Sequence, residues 1–154
     1  MLDMLEFVTF LLAPIAYGGL AVAAVRAVQR RPSRALQRVV ATVAVAHVAL
    51  VWTVRYGLQF SAATRKGYAG FLLFHAVLLA MVASAFVDER IARPLLVAAF
   101  GIVTLGAFGA VFVEPVVAIY RIPVILIALG GAIGLARAYR APFTGPRVSR
   151  EIAS

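Results

Sequence analysis

Five stretches of this chain run for at least fifteen residues without a charged side chain, at 7–25, 39–54, 67–87, 94–113 and 122–136. A helix that crosses a bilayer needs about 20 mostly apolar residues, with a range of roughly 17–25. Three of the runs meet that length directly. The second meets it from Leu36 to Tyr56 if Arg38 and Arg55 extend outward at its two ends. The fifth has the shortest uncharged core, and Arg121 and Arg137 must reach their interfaces for it to span; a re-entrant or tilted segment is the alternative. Hydrophobic residues make up 64% of the 154, against about 45–50% in soluble domains. A soluble globule of this size has too little interior to hide that much apolar surface.

The reading is therefore all-α: a polytopic membrane helix bundle with five transmembrane helices at about 7–26, 36–56, 67–87, 93–113 and 117–138. Residues 141–154, with Pro142, Gly145 and Pro146 and no apolar periodicity, read as a flexible cytoplasmic tail. Short connections make successive helices neighbours. Pro14 and Pro123 are expected to kink or locally open the first and fifth segments.

The net charge of +9 would suggest nucleic acid in a soluble protein. Here the arginines lie between apolar runs, where they set topology and meet anionic lipid headgroups, and no nucleic-acid role is expected. With five spans, eleven Lys/Arg fall on the side of the 26–38 and 88–93 loops and the C-terminal tail, and four on the other. The basic side is cytoplasmic by the positive-inside rule, so the N-terminus is outside and the C-terminus cytoplasmic, in a multi-pass protein of the inner (plasma) membrane. The acidic leading flank, with Asp3 and Glu6, argues against a cleaved signal peptide. Trp52, Tyr56, Phe60, Tyr68 and Tyr120 fall at the outer interface, where amphipathic rings anchor.

Chemistry has few candidates. There is no cysteine, hence no disulfide, thiolate ligand or thioether-bound haem. No hydrolase, phosphate-loop or zinc-protease motif appears, and no catalytic residue is assigned. An ionisable group inside the membrane is a functional candidate by default, and His47 and His75, the only histidines, qualify. His47 lies about 15 Å and His75 about 12 Å below the outer end of its helix. Matched depth on adjacent helices suits two axial ligands of a b-type haem, or a quinone or copper contact. The alternative is two unrelated histidines, each bonded to a carbonyl or hydroxyl on a neighbouring helix. Arg55, Arg65 and Lys66, beside Tyr56 and Tyr68, form a basic group that could capture a haem propionate or a lipid phosphate, or simply reach the interface. Glu114 and Arg121 could pair across the outer mouth of the last hairpin.

Small residues mark packing faces: Gly130 and Gly134 in a G-x-x-x-G, Gly106 with Gly109, and Gly19 with Ala23. They serve either packing within the chain or contact with a membrane-protein partner or a second copy. This leaves a non-catalytic structural or assembly subunit as the alternative to a haem protein.

Arg65, Tyr68, Leu72 and His75, in the spacing R-x2-Y-x3-L-x2-H, and then Ile91-Ala92-Arg93, Thr104 and Gly106, resemble the membrane family catalogued as domain of unknown function 420. The resemblance covers about 40 of 154 residues. It implies a small bundle of four or five helices associated with haem–copper oxidase assembly, and it carries over only His75. That family places another histidine at the outer end of the preceding helix, whereas Tyr56 to Phe60 here contain none.

Orientation is directly testable. A reporter active only in the cytoplasm should be active when fused after Ser154 and silent at the N-terminus. The reverse pattern would mean that the number of spans or the orientation is wrong.

Overall fold

The computed structural model describes residues 4–65, 67–113 and 119–140, and they form helices with no strand among them. The elements are α1 (Met4–Val28), α2 (Arg34–Leu50), which continues as a π-helical turn (Val51–Arg55), a short α3 (Phe60–Thr64), α4 (Tyr68–Ser84), α5 (Glu89–Val113) and α6 (Arg121–Arg140). Four helices are long and apolar enough to cross a membrane: α1, α2 with its π turn, α5 and α6. The molecule is a membrane helix bundle. The expected tail, 141–154, and residue Glu114 lie outside the described residues.

The fifth segment is a continuous 20-residue helix, long and apolar enough to cross a membrane. The expected length of the third segment needs correction. The short helix is α4, whose 17 residues rise only about 25 Å, against a hydrocarbon core of about 30 Å. The uncharged run 67–87 overstated it because its last three residues, Ala85 to Val87, leave the helix through a turn. Pro123 does not kink α6. It sits in the first turn, where its missing N–H would have had no intrahelical partner anyway. Helix α5 starts at Glu89, about a turn earlier than expected, and takes in the charged connection.

Helix α1 is the centre of the bundle and packs against α2, α5 and α6; α4 lies against α2 and α5, and α5 against α6. Successive long helices are thus neighbours. The buried face of α1 is mostly small: Ala16, Leu20, Ala23, Ala24 and Ala27 recur at helical spacing around Tyr17. In lipid, helices gain no hydrophobic energy by leaving the solvent, so close van der Waals contact through small residues holds them together. Large apolar side chains point outward instead, among them Leu79, Leu105 and Leu126, as a hydrocarbon solvent permits.

Three glycines are required by these contacts. A Cβ on Gly19 would meet Val40 Cγ2 at 2.6 Å, one on Gly134 would meet Val25 Cγ2 at 2.8 Å, and one on Gly131 would run into the Phe100 ring. Gly106, Gly109 and Gly130 face open space instead. The G-x-x-x-G pair is therefore split: Gly134 packs inside the chain, and Gly130 looks out.

The helix ends are closed by local chemistry. Helix α1 stops in a Schellman arrangement, Arg31 N–H to Arg26 O at 2.9 Å and Arg30 N–H to Ala27 O at 3.2 Å, with Arg30 at φ 55 where glycine is usual. Ser33 then caps α2 by accepting from the Leu36 N–H. Arginines join the ends of neighbouring helices: Arg93 Nε donates to Ala27 O, Arg34 Nη1 to Ala85 O, and Arg121 Nε to Val111 O. Each target is a carbonyl at the C-terminal end of a helix, the negative end of its dipole.

The glycine assignment predicts a contrast. Gly19→Leu and Gly134→Leu should each destabilise the bundle by about 1–3 kcal/mol, the usual range for overpacking. Gly130→Leu should leave the monomer unchanged. Thermal unfolding in detergent checks this, and an equal loss for Gly130→Leu would refute the packing described.

Candidate functional site

Two of the residues singled out from the sequence, Arg55 and His75, are engaged by the π turn at the C-terminal end of α2. A π turn widens the helix by one residue and re-aims the side chains on it, and such turns are frequent at functional sites. Here it sends two side chains to different neighbours. Trp52 faces α4, where its Nε1–H donates to His75 Nε2 at 3.2 Å. Arg55 faces α1, where Nη1 meets Glu6 Oε1 at 2.8 Å and the guanidinium lies 5.7 Å from the Phe10 ring centre. The turn ends at Gly57 and Leu58, both left-handed (φ 54 and φ 61), with Leu58 N–H closing onto Trp52 O.

His75 is held from both sides. Its Nε2 accepts from the indole, so that nitrogen carries no proton, and Nδ1–H donates to Phe71 O at 2.8 Å. Both ring nitrogens are engaged, and Phe71 packs on the imidazole at 4.1 Å between centres. His47 turns the other way. Its Nδ1–H donates to Thr9 O on α1 at 2.8 Å, while Thr9 sends its own hydroxyl to Leu5 O. Two histidines at similar depth thus bond to different elements.

That arrangement bears on a haem. An axial pair needs one nitrogen from each ring aimed at a common iron across an apolar cavity. Both Nδ1–H groups are tied to carbonyls, which is the tautomer a metal-ligating histidine adopts. The Nε2 of His75, however, is covered by Trp52, and the two grooves described on the bundle's surface are lined by no histidine. In this geometry the residues do not fit a haem. Among the described residues no group of three or more His, Asp or Glu could hold a metal ion.

The other expected site residues are spread out. Tyr68 is exposed and stacks beside Phe71 at 6.3 Å, with the Phe60 ring edge-on at 6.2 Å. Together with Trp52 and Tyr56 these rings form one continuous aromatic patch at the end of the bundle. Arg65 follows α3 and is exposed, with no bond joining it to Arg55; Lys66 lies outside the described residues. Arg55 has an internal carboxylate, Glu6, which accounts for its charge. Arg121 is engaged with Val111 O and the Phe112 ring, at 5.3 Å from its centre.

One polar contact was not anticipated. Tyr17 Oη and Thr104 Oγ1 lie 2.7 Å apart in the middle of the bundle, joining α1 to α5, and Thr104 also donates to Phe100 O. Neither side chain is charged at neutral pH, so charge patterning does not mark the pair. The usable signal was a hydroxyl in the middle of each of two apolar runs.

No family model, curated protein or solved structure matches the chain.

Replacing Trp52 by Phe keeps an aromatic ring and removes only the donor to His75. The change should cost about 0.5–1.5 kcal/mol and shift the His75 ring resonances. Tyr17→Phe should cost about 0.6 kcal/mol, the average for interhelical hydrogen bonds in membranes. Unchanged His75 resonances in Trp52→Phe would mean that the indole bond is not made.

Proposed function

We propose that this protein is a non-catalytic integral membrane subunit or assembly factor, acting through helix contacts with another membrane protein. The observation that carries this reading is the way the bundle uses its polar groups. Both histidines, the Arg55–Glu6 pair and the Tyr17–Thr104 pair are taken up in bonds that hold the chain's own helices together. Among the described residues they assemble no nucleophile, base or proton path. Meanwhile Gly101, Gly106 and Gly109 on α5 and Gly130 on α6 meet nothing within 4 Å. Small residues on outward faces are where a partner helix can approach closely.

The proposed setting is the inner (plasma) membrane. The N-terminal end of α1 lies outside and the C-terminal end of α6 is cytoplasmic, as the arginine distribution favours. In that setting α4 crosses as the fifth span, with its deficit met by local thinning or by its flanking turns. The resemblance of 65–106 to oxidase-associated proteins suggests a respiratory oxidase as the partner. A b-type haem on His47 and His75 is the competing reading, and it requires Trp52 to leave His75.

Two measurements separate these readings. Protein purified in mild detergent from haem-replete cells should be colourless, and its partner complex should survive His75→Ala but dissociate with Gly130→Leu or Gly109→Leu. A Soret band that disappears in His75→Ala would replace the scaffold reading with the haem one. A complex that tolerates both glycine changes would remove the support for docking on these faces.

A further inference from the structure

A furrow of about 530 Å³ runs between α2 and α4 at the basic end of the bundle. Its walls are Arg38, Thr42 and Val45 on α2, Val82 on α4, and Ala85 and Phe86 in the turn that follows α4. The α2 residues are spaced i, i+4, i+7, so they form one stripe. From Arg38 to Val45 the stripe rises about 10 Å toward the middle of the membrane. Ala41 at its back is too small to fill the space, and Phe86, 73% exposed, stands as the outer wall.

The two arginines at the mouth differ. Arg34 donates to the carbonyl of Ala85, a residue of the furrow's wall, and its charge is used there. Arg38, one turn further along α2, has no hydrogen bond or ion pair with any described residue. Asp88, on the connection into α5, and Glu89, the first residue of α5, are the acidic residues at this end, and neither is paired with it. Arg38 is exposed at the head of an apolar furrow and carries an unmatched positive charge there. A phosphate diester offers two non-bridging oxygens that can accept from the planar fork of the guanidinium. The apolar furrow beginning at that charge has the shape of an acyl chain's path.

We propose that this furrow is a binding site for one anionic phospholipid of the leaflet on the basic side, its phosphate on Arg38 and one acyl chain along Thr42, Val45 and Val82. The site requires only that the bundle lies in a membrane and is independent of the partner reading above. The comparable furrow between α1 and α6 carries Arg26 at its mouth, but that side chain donates to Arg31 O. It therefore offers a weaker claim on a headgroup.

Native mass spectrometry of the intact protein with equal phosphatidylglycerol and phosphatidylcholine tests the site. The wild type should retain one phosphatidylglycerol in preference. Arg38→Gln should weaken that binding about fivefold, the share of one arginine near a charged surface. Thr42→Phe, which fills the furrow and leaves the charge, should also weaken it. Arg140→Gln, the same charge change at the same end, should not. Equal weakening by Arg38→Gln and Arg140→Gln would show diffuse attraction and overturn the site. Competition by inorganic phosphate alone would show a free-anion site and overturn the lipid assignment. Loss of the glycine-dependent partner complex with lipid binding intact would leave this proposal standing.

Discussion

Alanine and glycine along one face of α1 let the backbones of α2, α5 and α6 come into close contact with it, and the remaining packing is built on that approach. Lipid supplies no hydrophobic incentive for helices to associate, because an apolar side chain is solvated as well by acyl chains as by another helix. What remains is dispersion at short range, which grows with the number of atoms that can be brought together. Gly19 against Val40, Gly131 against the Phe100 ring and Gly134 against Val25 are the points where even one methyl group would separate the helices.

Polar groups are placed under the complementary constraint that none can be left unpaired in hydrocarbon. Among the described residues, no buried side-chain nitrogen or oxygen lacks a partner. Thr9, Ser84 and Thr104 return their hydroxyls to carbonyls of their own helix, and the arginines cap the last turns of neighbouring helices. The same arginines that orient the chain across the membrane therefore also fasten its helix ends. Arg34, Arg93 and Arg121 are the arginines that do so among the described residues, and Arg38 has no such target.

The π turn at the end of α2 is where local geometry has the largest consequence. By re-aiming Trp52 and Arg55 it ties α2 to α4 through His75 and to α1 through Glu6. The histidine that a depth argument marks as a ligand thereby becomes a hydrogen-bond acceptor in an aromatic patch. Functional and structural roles for an intramembrane histidine have the same sequence signature, and only the direction of the ring separates them.

The amino-acid sequence by itself determined that this chain is a membrane helix bundle, because uncharged apolar runs and arginine-bearing connections leave lipid no other way to satisfy the backbone. It also placed His47 and His75 at similar depth, since rise per residue is the same in every helix. It did not show which way either ring turns, because a helical position gives depth but not the partner across the gap. Nor did it show that α4 is the short helix and α6 the complete one, since an uncharged run can end in a turn as easily as in a helix. Which glycine of the G-x-x-x-G packs inward, and which arginines reach a carbonyl of a neighbouring helix, depended on how the helices are arranged. Those are contacts between segments distant in sequence, and only the tertiary structure brings them together.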